Sequence, residues 1–314
     1  MTGRLPPWFK KKMPDPRVLA SMRALFDGLS LHTICESALC PNQGDCFSNR
    51  TATFLLLGDI CTRNCTFCAV KKGIPYAVDE KEPQHLVEAV DKLGLRHVVI
   101  TSVTRDDLPD GGASHFAKTI ALLKRKDKGL TVEVLIPDFC GWLWSLKMVV
   151  DAHPDVINHN LETVPHLYPQ VRPKADFQRS LRLLGQAKEL DSHMVTKSGL
   201  MVGLGETRGE LLRAMEELRG VNCDLLTIGQ YLQPSPSHHP VVRYVPPEEF
   251  LDYERIGKEL GFCDVASAPL VRSSFNAAQL YARAKMERKR TYESERSGKG
   301  PEGHSRRPCD HQRI

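Results

Sequence analysis

Strand-like and helix-like stretches alternate six times after residue 50, and this repetition predicts an α/β fold: a partial (βα)6 TIM-type barrel with N-terminal and C-terminal extensions. Three observations lead there. Serial βα units call for a parallel sheet with right-handed crossovers. The polar and cysteine-rich segments fall at the C-terminal ends of the strands, which favours a partial barrel over a full one or an open doubly wound sheet. At 314 residues, the chain is long enough to bury a large core.

The apolar runs that read as buried strands are ATFLLLGDI, HVVITSV, TVEVLIPDF, VINHNLE, HMVTKSGLMVGL and LLTIGQYL. Between them, EPQHLVEAVDKLG, HFAKTIALLKRKD, DFQRSLRLLGQAKEL and GELLRAMEELRG carry apolar residues at helical spacing. WLWSLKMVVDAH is less clearly amphipathic but fills the helix slot between the third and fourth strands. Pro, Gly or Asp punctuates most joints. Residues 1–50 are expected to form an N-terminal extension and 51–275 the barrel. A C-terminal helix and a basic tail, disordered beyond about Tyr292, are expected over 276–314.

Composition is that of a soluble globular protein, with 41% hydrophobic and 26% charged residues. The start, MTGRLPPWFKKKMP, has no apolar secretory core, and no run approaches the roughly 18 apolar residues of a membrane span. A cytoplasmic location and no membrane partner are expected. The net charge of +5 lies entirely in Arg283–Ile314, where ten Lys/Arg face five Asp/Glu; the preceding 282 residues hold 33 of each sign. That pattern describes a solvated appendage rather than a nucleic-acid surface.

Six of the ten cysteines lie within thirty-four residues, in two trios. Cys35, Cys40 and Cys46 are spaced C-x4-C-x5-C, and Cys61, Cys65 and Cys68 are spaced C-x3-C-x2-C in CTRNCTFC. In a reducing compartment such clusters read as metal ligands or catalytic groups, not disulfides. Neither trio has the paired form of a structural zinc site, although spacing alone leaves zinc open for the first. Three thiolates on one short loop can hold three irons of a [4Fe–4S] cube and leave the fourth exposed, and an open position is where a metal site does chemistry.

C-x3-C-x2-C with an aromatic, Phe67, before its last cysteine resembles the signature of radical S-adenosylmethionine (SAM) enzymes. The upstream trio, with NLETVPHLYPQVRP at 160–173, SGLMVGLGE at 198–206, IGQYLQPS at 228–235, RYVPPEEF at 243–250 and VRSSF at 271–275, is similar to the lipoyl synthase family. The resemblance spans about Pro6 to Ala282. It implies two [4Fe–4S] clusters and SAM. It also implies insertion of two sulfur atoms, at the sixth and eighth carbons of an octanoyl chain on a carrier-protein lysine. The sulfur would come from the auxiliary cluster on Cys35, Cys40 and Cys46, with Ser274 as its fourth ligand. Partners implied are an octanoylated lipoyl carrier domain or glycine-cleavage carrier protein, and an electron donor such as flavodoxin or ferredoxin. A serine oxygen binds soft iron–sulfide weakly beside thiolate, which suits a cluster that must be dismantled. The chain departs from the family pattern at Phe275, where a Tyr is usual, and at His239.

Other residues carry weaker signals. Asn160 and Glu162 occupy alternate positions at the end of the fourth strand and are expected to share a face toward the cofactor. Arg172 is read either as a partner of the methionine carboxylate or as a surface arginine. The glycines of GLMVGLGE stand equally for a ligand contact or a plain strand end. Asp106 and Asp107 read as turn formers ahead of substrate-loop residues, and His238 as structural ahead of a group near the substrate. Cys140, Cys223 and Cys263 read as small buried hydrophobes, Cys309 as a free tail thiol, and Trp8 as the residue packing an N-terminal strap. Rival readings are another sulfur-inserting radical synthase, such as one acting on dethiobiotin, and a cluster-binding electron carrier or zinc module.

Overall fold

The computed structural model describes residues 5–11 and 14–296, with side chains through Glu287. Eight strands form one sheet in the order His32–Thr33, Thr53–Leu56, His97–Ser102, Thr131–Leu135, Val156–Asn158, Val195–Val202, Leu225–Gln230 and Asp264–Ser267. The first pair is antiparallel, with His32 opposite Leu55. Every later pair is parallel. Six of these strands are the six read from sequence. The seventh parallel strand, Asp264–Ser267, was not foreseen, because DVAS is short and has no apolar run to mark it.

Local chemistry sets the helices between strands. Asp176 caps Phe177–Leu190 by accepting from Arg179 N, and Thr207 with Glu210 forms a capping box at the start of Arg208–Gly220. Helix Glu82–Leu93 stops at Gly94, whose φ of 66° is left-handed. Their apolar faces cover the outside of the sheet, as alternating βα units require.

The barrel is incomplete, since its two edge strands do not pair with each other. Helix Ala277–Arg296 covers one end, burying Leu280 and Ala284 against Val156, Val195 and Leu225, the first residues of three strands. This helix runs past Tyr292, and the expected disordered tail with Cys309 lies outside the described residues. Inside the barrel Lys197 is fully buried, with Nζ 2.8 Å from Glu133 Oε1. Burial would raise the Glu133 carboxyl, but Lys197 and His97 hold it at about 2.

The N-terminal segment packs on the first barrel strand through Phe26, whose ring stands edge-on to Phe47 at 5.7 Å and Phe54 at 5.9 Å. Trp8 does not pack the strap: it is 38% exposed, while its neighbour Phe9 is buried against Tyr244. The short helix Pro7–Phe9 turns the larger ring outward.

Candidate active site between two cysteine trios

A cavity of about 930 Å³ opens at the C-terminal ends of the strands, and all six clustered cysteines line it. Cys35 sits on the short helix Ile34–Ser37 and Cys46 on Gln43–Ser48, so the first trio comes from the N-terminal extension. Cys61, Cys65 and Cys68 follow the strand Thr53–Leu56. Burial pushes the thiols of Cys35 and Cys68 up to about 12 and raises those of Cys46 and Cys65. Binding soft iron would therefore displace protons from these groups. Among the described residues no three His, Cys, Asp or Glu side chains close on the position of one metal ion.

The C-terminal segment crosses this mouth. A side chain at Gly229 would stand 2.1 Å from Val271 O, so only glycine lets Val271–Phe275 lie on the end of the strand Leu225–Gln230. Arg272, Ser273 and Ser274 then line the cavity. Three ties hold the first trio to this crossing. Asn42 Nδ2 donates to Leu270 O at 2.7 Å, Lys11 Nζ donates to Asn42 Oδ1 at 2.5 Å, and Lys11 stands 6.0 Å from the centre of the Phe275 ring. The Phe275 ring is thus used as a face for a cation, which needs no hydroxyl.

Opposite the second trio, Asn160, Glu162 and Arg172 come together. Asn160 Nδ2 donates to Glu162 Oε1 at 3.0 Å and to Ser273 Oγ at 2.6 Å. Asn160 and Glu162 share a face, but not by strand alternation: the strand ends at Asn158, and Glu162 reaches the site at a left-handed φ of 66°. Burial raises the Glu162 carboxyl above the usual carboxylate range, opposed by Arg172. Arg172 is no surface arginine. Its Nη1 donates to Asn160 O, Leu161 O and Tyr168 Oη, all within 3.2 Å. Asn160 Oδ1 and Arg172 Nε are buried with no partner in the protein. Orphaned polar atoms at a cavity wall are what a polar ligand would satisfy.

The loop CTRNCTFC is fastened on both sides. His238 bonds Cys68 O through Nε2 at 3.1 Å and Ser235 through Nδ1 at 2.8 Å, and His239 N donates to Thr66 O. Phe67 packs at the edge of the core and lines the cavity. Asp106 and Asp107 do occupy a turn, closed by Leu108 N donating to Arg105 O at 3.0 Å, and both also pair with arginines. Asp106 accepts a two-pronged bond from Arg63, at 2.8 and 2.9 Å, and Asp107 pairs with Arg105. Cys140 is not a buried hydrophobe: it is part-exposed, and its thiol lies 3.2 Å from Asp106 Oδ1. Cys223 is buried, and Cys263 is part-exposed. Gly199, Leu200 and Met201 line the cavity, whereas the amides of Gly203, Leu204 and Gly205 are taken up by Glu206. Arg63 and Arg272 were passed over in the sequence, although Arg63 lies inside the cysteine motif itself.

A parallel partial barrel with a three-cysteine loop at its mouth defines a radical SAM enzyme, and the radical SAM superfamily profile matches residues 55–218. Among solved structures, the [FeFe]-hydrogenase maturase HydG superposes with a TM-score of 0.52 at 16% identity, covering 78% of this chain and 61% of that one. This likeness supports the fold alone. Lipoyl synthase of Caldanaerobacter subterraneus subsp. tengcongensis is 60% identical over 88% of this chain and 97% of its own length. Lipoyl synthase of Rubrobacter xylanophilus is 55% identical over 87% of this chain and 85% of its own. The chain belongs to the lipoyl synthase family, whose members are radical SAM, sulfur-inserting enzymes.

Proposed function

We propose that Cys61, Cys65 and Cys68 hold the [4Fe–4S] cluster that binds SAM, and that Cys35, Cys40 and Cys46 with Ser274 hold a second cluster that is the sulfur source. The substrate is an octanoyl chain on a lysine of a lipoyl carrier domain or glycine-cleavage carrier protein, thiolated at its sixth and eighth carbons. The observation that carries this reading is that both trios and Ser274 line one cavity. A chain entering that cavity would lie within reach of both.

When bound, the first cluster with SAM supplies a radical able to take hydrogen from unactivated carbon. The protein's own residues bind and orient. Asn160 Oδ1 and Arg172 Nε offer an acceptor and a donor to the polar parts of SAM, with Arg172 suited to the methionine carboxylate. Phe67 supplies an apolar wall that excludes water. Ser274 would give a second cluster one oxygen ligand weaker than its thiolates, which suits a cluster that serves as a sulfur source. On this reading the chain works in a reducing, cytoplasmic setting and takes its electrons from a flavodoxin- or ferredoxin-like donor.

The test is anaerobic incubation with an octanoylated carrier domain, SAM and reductant, reading the carrier mass. Gain of two sulfurs with loss of two hydrogens is expected. An unchanged carrier, with about eight irons retained per chain as two cubes require, overturns the assignment.

A further inference from the structure

Phe139, Cys140 and Gly141 follow the third barrel strand with φ values of 45°, 55° and 84°, a run of left-handed backbone in which two residues are not glycine. Each non-glycine residue there costs on the order of 1–2 kcal/mol, and such outliers persist only where the surroundings over-determine them. The run is held by Asp138, whose Oδ1 accepts from Cys140 N at 3.1 Å and whose carbonyl accepts from Gly141 N at 2.8 Å. Its effect is to aim two groups at one target. Asp138 Oδ1 lies 2.5 Å from Arg63 Nη2, and Cys140 Sγ lies 3.8 Å from the same atom.

Arg63 is therefore gripped from two strands. Asp106, after the second strand, takes the two-pronged bond, and Asp138, after the third, takes the remaining contact. Arg63 is 5% exposed and its partner Asp138 is 1% exposed. Arg179 neutralises the second oxygen of Asp138 at 2.8 Å. The loop backbone is bound to the same place, since Thr62 exchanges bonds with Thr104 O and Asp106 N. Arg63 N also points at Cys61 Sγ at 3.4 Å.

We propose that Arg63, Asp106 and Asp138 form a positioning lock for the loop carrying Cys61, Cys65 and Cys68, and that the strained turn Phe139–Gly141 exists to close it. None of the three is a ligand. Their work is to fix the spacing of the three thiols and hold the loop while one iron stays free of protein. A guanidinium fork matched to a carboxylate does this better than a point charge, so Arg63→Lys should not substitute.

The proposal rests on the assignment of these three cysteines to the SAM-binding cluster. The experiment compares Asp106→Asn and Arg63→Lys with Asp107→Asn, a change to the neighbouring carboxylate outside the lock. Two quantities are read on the full reconstituted chain: the rate of iron loss to a chelator, and the change in the reduced cluster's electron paramagnetic resonance (EPR) spectrum on adding SAM. Asp106→Asn and Arg63→Lys should lose iron at least fivefold faster and show a broadened or absent response to SAM. Asp107→Asn should match the unsubstituted protein. Because Asp106 is partly exposed, its variant is expected to fold, and thermal unfolding within a few degrees verifies this. Iron loss and spectra equal to the unsubstituted protein in both lock variants overturn the proposal, as does an equal defect in Asp107→Asn. Absence of any SAM-sensitive signal in the unsubstituted protein would instead overturn the cysteine assignment.

Discussion

Asn160 Nδ2 lies 2.6 Å from Ser273 Oγ, joining two residues 113 positions apart across the mouth of the barrel. Ser273 precedes the proposed ligand Ser274, and Asn160 belongs to the group proposed to face SAM. One hydrogen bond thus joins the proposed SAM-facing group to the segment that carries Ser274. The glycine at 199 permits the approach, since a Cβ there would be 2.7 Å from Asn160 Oδ1 and 3.0 Å from Ser273 Oγ.

Removing that bond should weaken SAM binding more than it weakens iron binding. A lost buried hydrogen bond costs about 1–3 kcal/mol, so Ser273→Ala should bind SAM roughly tenfold less tightly. Equilibrium binding to the anaerobic protein, alongside an iron assay, reads both. Unchanged SAM affinity would mean that the contact is packing alone.

Replacing the oxygen ligand by sulfur should trap the sulfur source. Ser274→Cys offers a soft thiolate where a weak oxygen stood, so the second cluster should survive turnover. Product per chain should fall at least tenfold while sulfide retained after incubation rises. Normal product yield with normal cluster loss would exclude Ser274 as the ligand.

His159 makes stability depend on pH. Its ring is buried, with Nδ1 2.8 Å from Ile136 O and Nε2 3.0 Å from Ser180 Oγ. Burial and then Arg172 pull its pKa down to about 4, below the ordinary 6.5. The unfolded chain therefore binds a proton that the folded chain refuses between these values. Stability should be full above pH 6.5 and fall as pH drops toward 4, by about 3 kcal/mol at most. Chemical denaturation of the metal-free protein across this range checks it, and His159→Gln should flatten the slope.

The buried pair beneath the site should tolerate joint replacement better than single replacement. Lys197→Met leaves the Glu133 carboxylate buried without its main partner and should cost about 3–5 kcal/mol, whereas adding Glu133→Leu should recover most of that loss. Urea unfolding of the two variants measures the difference. Equal destabilisation by both would show that cavity and packing changes, not charge, decide the outcome.

Most of the fold was legible because buried parallel strands and amphipathic helices leave long periodic signals, and six of seven parallel strands gave one. DVAS did not, being short and mixed. The clustering of the six cysteines was legible from spacing, although spacing alone left zinc open for the first trio, and all six line one cavity. Arg63 and Asp138 were not legible, because their partnership arises only when the ends of different strands meet. The left-handed φ of Glu162, and with it the true route by which that carboxylate reaches the site, leaves no mark in a pattern of apolar and polar letters. The position of Arg172 shows the same limit: NLETVPHLYPQVRP fixed its neighbours in sequence, but its burial depends on three carbonyl and hydroxyl acceptors supplied by the turn.

The N-terminal segment with the first trio adds His32 and Thr33 to the sheet as an antiparallel edge and buries Met22, Phe26, Leu29, Leu31 and Phe47 in the same core as the first barrel strand, while Lys11 and Asn42 tie it to the crossing at Leu270–Phe275. Drawing that segment away from the mouth would expose Phe26 and Phe47 to water, so the distance between the two trios is set by the same apolar core that holds the parallel frame.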